Sequence, residues 1–296
     1  MMGKKPPSDR QPETLAEAWE IELKAKERLE LIRHKLLVMS GKGGVGKSTV
    51  AVYLALGLAR RGHTVGLLDV DLHGPDIPRL LGLKGRFYQG PEGGIQPQIA
   101  MEKVKVVSIE GFLSERDAPV IWRGPMKHKA IRQFLGQVEW GRLDYLIIDS
   151  PPGTGDEPLS VARLIPDARA IIITTPQEVA LADVRKAINF CRHTQLQILG
   201  IVENMSSLIC PHCGGEIHLF RQGGGQKTAN DMGIPFLGSL PFDLRVVAGG
   251  DLGAPLIEAP EASSFSRALW ALLDQVEARC RELDEERAAK EEKADN

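Results

Sequence analysis

The residues best suited to chemistry lie in one glycine-rich segment that also carries two lysines and two adjacent hydroxyl side chains. It reads Ser40-Gly41-Lys42-Gly43-Gly44-Val45-Gly46-Lys47-Ser48-Thr49 and fits the pattern G-x-x-x-x-G-K-[ST]. An apolar run precedes it and a helix-like run follows it, which is the context in which this pattern binds phosphate. Glycines let consecutive backbone N–H groups point at one anion, and the start of the helix adds its positive end. The segment therefore predicts a phosphate-binding loop for a nucleoside triphosphate, with contacts from Gly41, Gly43, Gly44, Val45, Gly46, Lys47, Ser48 and Thr49.

Phosphoryl transfer also needs a metal ion and a positioned water. Lys47 is expected to pair with the β- and γ-phosphates, and the Ser48 hydroxyl suits a Mg²⁺ ligand. Asp149 ends the apolar run 143–149 and would hold the same ion through water, because Mg²⁺ gives up its waters reluctantly. A lone aspartate at a strand end is as often a turn or cap residue, but the phosphate loop favours the metal role. The expected cofactors are therefore ATP and Mg²⁺.

The apolar runs predict an α/β fold, a mostly parallel sheet with helices on both faces. Besides the run before the glycine loop, strands are expected at 64–70, 104–109, 143–149, 170–175, 198–204 and 234–240. Helices are expected at 47–61, 126–138, 179–193, 222–232 and 262–283. Ligands of such sheets gather at the carboxyl ends of the strands, and the glycine loop and the aspartates all fall there.

Composition divides the chain into three parts. Residues 1–34 form a charged extension, expected to be disordered over 1–13 and then helical to about His34 after a capping box at Thr14-Leu15-Ala16-Glu17. The helix is expected to be solvated and only loosely docked. Residues 35–284 form a single nucleotide-binding domain, and residues 285–296 a charged tail, with fraying expected from Arg281 onward.

A pair of cysteines, Cys210 and Cys213, forms a C-x-x-C with Pro and His between them. Alone it fits a zinc knuckle, a redox pair or half of an iron–sulfur site. A tetrahedral zinc site or an Fe₄S₄ cluster takes four ligands, and this pair supplies two. The other two cysteines, Cys191 and Cys280, lie on apolar helix faces and are expected to be buried and inert. Two copies of the pair across a two-fold axis would complete a site.

The overall charge limits the classes of partner. The formal net charge of the 296 residues is −2, which argues against general nucleic-acid binding. No apolar run reaches the roughly 18 residues of a membrane span, and the lysines at the start are not followed by an apolar segment. Four cysteines are too few for a disulfide framework and suit a reducing cytoplasm. We expect no nucleic-acid and no membrane partner.

The loop resembles the deviant Walker A motif of the SIMIBI ATPases, K-G-G-x-G-K-[ST], and further motifs resemble the Mrp/ApbC iron–sulfur carriers within that class. The segments that carry the second resemblance are Asp69-Val70-Asp71-Leu72-His73-Gly74-Pro75, Asp149-Ser150-Pro151-Pro152-Gly153-Thr154-Gly155-Asp156 and Glu203-Asn204-Met205-Ser206. It implies that Lys42 reaches across a dimer to the partner's phosphates, that Asp71 orients the attacking water and that Asp69 lies nearer the metal. It also implies that Asn204 recognises adenine, with Pro241 and Asp243 in a second adenine-side loop.

The same resemblance implies a dimeric carrier that binds a [4Fe–4S] cluster through Cys210 and Cys213 of both protomers and passes it to apo-proteins. Slow ATP hydrolysis would gate this transfer. A zinc-bridged regulatory ATPase has the same motifs and stays open as an alternative, because thiolates accept both metals. A positioning ATPase of the MinD/ParA type is a second alternative. It predicts a basic face or basic C-terminal helix, whereas Glu282-Leu283-Asp284-Glu285-Glu286 is acidic.

Overall fold

The structure is a computed structural model that describes residues 15–71, 74–84, 88–90, 93–108, 111, 124–210, 212–220 and 223–294. Within these ranges the strands are β1 Ile32–Ser40, β2 Val65–Asp69, β3 Tyr88–Gln89, β4 Ile95–Gln96, β5 Gln98–Ile99, β6 Lys105–Ser108, β7 Leu143–Asp149, β8 Arg169–Thr174, β9 Gln197–Ile209, β10 Glu216–Ile217 and β11 Phe236–Phe242. The helices are α1 Leu15–Glu30, α2 Lys47–Arg60, α3 Ile77–Leu80, α4 Gly124–Gln137, α5 Asp156–Leu164, α6 Glu178–His193, α7 Gly224–Met232, α8 Leu244–Asp251 and α9 Ser264–Ala294.

The main sheet has the order β10-β9-β8-β1-β7-β2-β6-β5, and β11 also pairs with β9. Pairing is parallel throughout except at the two ends, where β10 and β5 run antiparallel to their neighbours. The predicted mostly parallel α/β fold is therefore confirmed. Because the central strands run the same way, their carboxyl ends meet at one edge of the sheet.

Apolar side chains on both faces of the sheet explain why helices cover both. In β1, Leu36 and Val38 enter a core shared with α2 and α9, while Leu37 and Met39 enter a second core shared with α4 and α6. All four side chains are fully buried. Adjacent residues of a strand point to opposite faces, so an unbroken apolar run is what a doubly covered strand requires.

The N-terminal helix differs from the prediction. It ends at Glu30, and β1 begins at Ile32, so the expectation that the helix runs to about His34 was wrong. The helix is docked on α4: Ala25 and Leu29 are buried, and a side chain at Gly136 would collide with the Ile21 carbonyl. The predicted disorder of residues 1–13 and the capping residue Thr14 lie outside the described residues.

The C-terminal helix is longer than expected. It continues to Ala294, so the predicted fraying from Arg281 was wrong within the described residues. Leu283 is buried in the core, and the Asp284 carboxylate lies 2.6 Å from the Arg169 guanidinium. An i,i+4 pair, Arg287 with Glu291 at 2.8 Å, supports the exposed end. No helix in the described part of the chain has the length and apolar character needed to cross a membrane.

Candidate functional site: a phosphate loop and a cysteine hairpin

The glycine loop joins β1 to α2 and forms the wall of a cavity at the carboxyl edge of the sheet. Gly44 and Gly46 both have φ of 77°, a left-handed conformation that glycine adopts without strain. No side chain caps the start of α2, and its first turn carries no acidic residue. The N–H groups at this end of the helix thus keep their capacity to bind an anion.

Three polar side chains form a row behind the loop, at the ends of neighbouring strands. Asp149 of β7 is in register with Asp69 of β2, and Asp69 is in register with Ser108 of β6. Both aspartates are fully buried. The Ser108 hydroxyl donates to Asp69 at 3.1 Å, and the Asp71 backbone N–H donates to it at 3.0 Å. Parallel pairing of β2, β6 and β7 is what brings these residues together.

Burial of these carboxylates sets their acidity. It raises the pKa of Asp69 well above its usual range, and the neighbouring Asp149 adds to the shift. Burial also raises the pKa of Asp149, which the Lys47 ammonium opposes. Asp69 is not among the residues that line the cavity. Its hydrogen bonds fit a residue that orients the backbone at Asp71, and its place nearer the metal stays a prediction.

Lys47 and Asp149 form a buried ion pair, with 2.6 Å between Nζ and Oδ1. The same ammonium donates to the Ser48 hydroxyl at 3.1 Å. The second carboxylate oxygen of Asp149, Oδ2, is buried and has no hydrogen-bond partner among the described residues. A cation thus already lies between the two residues expected to hold Mg²⁺, and one further oxygen is unsatisfied. This donor set fits a hard divalent cation.

Asp71 lines the same cavity as the glycine loop, as the water-orienting role requires. Its Oδ1 accepts a hydrogen bond from the Gly74 N–H at 3.1 Å, so the carboxylate and the segment after it are held together. Leu72 and His73 of this motif lie outside the described residues. Asp156, the last residue of the D-x-P-P-G-T-G-D motif, begins α5.

Asn204, Pro241 and Asp243, the predicted adenine-side residues, line one pocket that adjoins the phosphate cavity. The Asn204 amide donates from Nδ2 to the carbonyl of Val45 at 2.9 Å, so it is fixed against the glycine loop. Asp243 caps α8 by accepting from the Arg245 backbone N–H at 2.9 Å. Its carboxylate therefore has a structural task, and the pocket rather than this side chain is what supports a base-binding role.

Lys42 lines the phosphate cavity and is half-buried. Its Nζ donates to the side-chain Oε1 of Gln177 in the same chain at 3.1 Å. Gln177 precedes α6, and the loop is packed tightly there, because a side chain at Gly41 would collide with the backbone of Asp183. In the single chain, the ammonium expected to act on a partner is held by its own protomer.

Cys210 and Cys213 lie in a turn at the tip of a hairpin made by β9 and β10. The predicted strand 198–204 was too short, since β9 continues to Ile209 past Met205, whose φ is 57°. The Cys210 N–H donates to the Gly215 carbonyl at 2.8 Å, and the Gly214 N–H donates back to the Cys210 carbonyl at 2.9 Å. Both strands of the hairpin belong to the main sheet, and the cysteine pair lies in the turn at the end of this strand pair.

The four cysteines fall into an accessible pair and a buried pair, as predicted. Cys213 is exposed and Cys210 half-buried, whereas Cys191 and Cys280 are buried. Backbone N–H groups of His212 and Cys213 lower the pKa of the Cys210 thiol, which favours the thiolate that binds metal. Among the described residues, no group of three or more His, Cys, Asp or Glu side chains is arranged to hold a metal ion. In the described part of the chain, the pair therefore offers two thiol ligands without a third His, Cys, Asp or Glu side chain arranged to join them.

Sequence reasoning gave no role to three residues. Ser108 could have been found, because it lies next to the carboxyl end of the predicted strand 104–109. Gln177 gave no signal of its own, and Glu203 was named only within the segment that carries Asn204. The Glu203 side chain is 2% exposed, and its Oε2 accepts the Gly225 N–H at 2.6 Å. Both residues matter because they contact the loop or the segment after the cysteines.

Three features together define a P-loop nucleotide-binding protein. They are the strand–loop–helix, the buried lysine–aspartate pair and the parallel sheet. A family model described as NUBPL iron-transfer P-loop NTPase matches residues 31–277. The chain belongs to that family, and the resemblance inferred from the motifs is confirmed.

Individual relatives agree with the family assignment. An "iron-sulfur cluster carrier protein" of Saccharolobus solfataricus is 44% identical over 276 residues, covering 92% of this chain and 93% of the relative. A "cytosolic Fe-S cluster assembly factor Nubp2 homolog" of Drosophila grimshawi is 50% identical over 84% of this chain and 97% of its own. A nucleotide-binding protein of Archaeoglobus fulgidus, solved in complex with ADP, is 43% identical, with a TM-score of 0.70 over 78% of this chain and 91% of that one.

Proposed function

We propose that this protein is an ATP-dependent carrier of [4Fe–4S] clusters that works as a homodimer and delivers its cluster to apo-proteins in the cytoplasm. The observation that carries the proposal is the position of Cys210 and Cys213. They lie at the tip of a hairpin, one of them exposed and one with a lowered thiol pKa, and they supply half of the ligands that a cluster takes. The printed names of the relatives, a cluster carrier and a cytosolic assembly factor, support the same role.

The nucleotide site divides the work of hydrolysis among the chain's own residues. The glycine loop and Lys47 bind the phosphates, and Ser48 together with Asp149 would hold Mg²⁺, which offsets phosphate charge when it is bound. Asp71 orients the attacking water from the cavity wall. Asn204 positions the base, with Pro241 and Asp243 at the far side of the pocket. Hydrolysis is slow, because its task is to time cluster release.

Lys42 acts from one protomer on the nucleotide of the other. Its contact with Gln177 holds it in the single chain, and assembly around ATP would draw it across the interface to stabilise charge on the partner's phosphates. The same two-fold assembly would bring two cysteine pairs together, so that nucleotide and cluster binding share one interface.

Reconstitution tests the cargo. The purified protein is incubated anaerobically with iron and sulfide, and iron, zinc and molecular mass are then measured. We expect a brown dimer with about four irons. Cys210→Ala abolishes iron binding, whereas the matched control Cys191→Ala, a buried thiol far from the hairpin, leaves it unchanged. A colourless protein with stoichiometric zinc, or iron retained in Cys210→Ala, would refute the carrier role.

Mixing inactive variants tests the action of Lys42 on the partner. Lys42→Ala and Asp71→Asn should each hydrolyse ATP very slowly alone. In a mixed dimer, the site that keeps its own Asp71 also faces an intact Lys42, so random assembly restores about a quarter of wild-type activity. If Lys42 acts within its own chain, mixing restores nothing.

A further inference from the structure

Two neighbouring residues of β9 link the phosphate loop to the segment that follows the cysteine hairpin. One of them contacts the loop, and the other contacts that segment. Asn204 donates to the Val45 carbonyl of the loop. Glu203, the residue before it, points to the opposite face of β9, where its carboxylate accepts the Gly225 N–H at 2.6 Å. Because the two residues share one backbone, a shift of the loop at Val45 is passed to the carboxylate of Glu203.

The Glu203 carboxylate is well placed to hold the start of α7. Its side chain is 2% exposed. Burial raises the pKa of this carboxyl, and the N–H groups of Gly225 and Gly223 oppose the shift. Hydrogen bonds from N–H groups to a carboxylate are among the stronger ones in proteins, and the positive end of α7 adds to them. The first turn of the helix is therefore tied to β9.

Close packing explains two of the three consecutive glycines in this segment, Gly224 and Gly225, whereas Gly223 has a φ of 69°. A side chain at Gly224 would lie 2.7 Å from Leu181 and 3.1 Å from the Pro176 carbonyl. One at Gly225 would lie 3.1 Å from Glu203. Pro176 immediately precedes Gln177, the residue that holds Lys42. The start of α7 is thus fitted against the same short segment that contacts the ammonium of the phosphate loop.

The chain on either side of the hairpin with Cys210 and Cys213 is anchored near these points. β9 bends at Met205, directly after Asn204, and stays paired with β11 as far as Leu208. Beyond β10 the chain enters α7 at Gly224. Both anchor points touch the phosphate loop or lie next to a residue that does.

We propose that Glu203 is the positioning residue that couples nucleotide binding to the cysteine hairpin, by tying the start of α7 to the strand that carries Asn204. This regulation rests on the proposed function, since it assumes that the nucleotide controls the cysteines. When the loop closes on ATP, the strand shifts, Glu203 moves the start of α7, and the exposure of the two thiols changes.

Thiol reactivity in metal-free protein measures this coupling directly. Burial raises the pKa of Cys191 to about 12 and of Cys280 to about 11, so a disulfide reagent such as DTNB reacts first with Cys210 and Cys213. The rate is followed with and without saturating Mg-ATP, whose binding is verified by titration for every variant. In the wild type we expect ATP to change the rate about fivefold or more.

Two variants and one control decide the result. In Glu203→Gln the side chain keeps its shape but loses its charge. The ratio of the DTNB rates with and without Mg-ATP should then fall towards one, while ATP still binds. Gly225→Ala disturbs the same contact from the side of the helix, so the ratio of rates should fall in the same way. This variant tests the coupling if Glu203→Gln does not fold. Glu216→Gln removes an exposed charge from β10 of the same hairpin and should keep the wild-type ratio.

Three results would overturn the coupling: no effect of ATP on the wild-type rate, a wild-type ratio in folded Glu203→Gln or Gly225→Ala, or a loss of the ratio in Glu216→Gln as well. None of these depends on which metal the cysteines bind. Failure of cluster reconstitution would instead refute the carrier role and leave the coupling measurement valid.

Discussion

Replacing Lys47 with methionine tests the electrostatics of the candidate nucleotide site. The Lys47 side chain is 7% exposed and Asp149 fully buried, with 2.6 Å between the charged atoms. Removing the ammonium leaves a buried carboxylate with neither its charge partner on Oδ1 nor, among the described residues, a hydrogen-bond partner on Oδ2. Breaking a buried pair in this way costs about 3–5 kcal/mol of unfolding free energy. The upper part of this range applies only while Asp149 stays ionised.

The pH dependence gives this prediction its sharpest form. Burial already raises the pKa of Asp149, and Lys47 opposes that shift, so the variant's pKa lies higher still. A carboxyl with a raised folded pKa destabilises the fold as pH rises from its unfolded pKa, about 3.9, through the folded value. The cost of Lys47→Met should therefore grow as the pH rises and be larger near pH 8 than near pH 5.

Chemical and thermal unfolding of the nucleotide-free protein at both pH values measure the effect. In the thermal experiment, the melting temperature at the higher pH should fall by about 6 °C or more, given roughly 2–4 °C for each kcal/mol. Lys186→Met is the matched control. Its side chain is 76% exposed and pairs with Asp183 on the surface, so it should change stability by less than about 1 kcal/mol. A cost below that level for Lys47→Met at pH 8, or one equal at both pH values, would refute the reasoning.

Three further outcomes follow from packing and charge elsewhere in the molecule. Burial lowers the pKa of His34 to about 4 from 6.5. The free energy of unfolding should therefore fall as the pH drops from 6.5 to 4, by up to about 3 kcal/mol. Denaturant titrations should show a shallower fall in His34→Phe. Gly136→Val should displace α1, because a side chain there meets the Ile21 carbonyl at 2.6 Å, and limited proteolysis should then cleave α1 faster. Arg169→Met removes the buried partner of Asp284, so hydrogen exchange at the end of α9 should speed up, whereas unchanged exchange would contradict that anchor.

The central site could be predicted from sequence because each part has a strong local signal. The glycine pattern specifies both the turn and the helix start, and the strand 143–149 was placed at its exact ends because it is an unbroken apolar run that closes on a carboxylate. Grouping Asp69 with Asp149 followed from one rule, that parallel strands end at the same edge. Their shared burial and its effect on their pKa could not be predicted, because it depends on the register of β2 against β7.

The errors lie where tertiary contacts decide the structure. The end of β9 was missed because the backbone turns at Met205 and then finds a new partner in β10, a pairing with no periodic signal. The length of α9 was missed because its charged end looked unstable. The Arg169–Asp284 pair that holds it joins residues far apart in the chain. Contacts of this kind have no signature within any one segment.

Under the proposed function, one chain holds half of each of two sites, and the two halves lack different things. The cysteine hairpin has ligands of the right kind but only two of them, whereas Lys42 has the right charge but is bound to Gln177 of its own chain. Releasing Lys42 frees Gln177, which follows Pro176, and a side chain at Gly224 of α7 would lie 3.1 Å from the Pro176 carbonyl. Under the proposed function, the step that completes the nucleotide site therefore also loosens the packing behind the cysteines. Dimer assembly and cluster binding would then respond to the same movement, and an isolated chain would not make it.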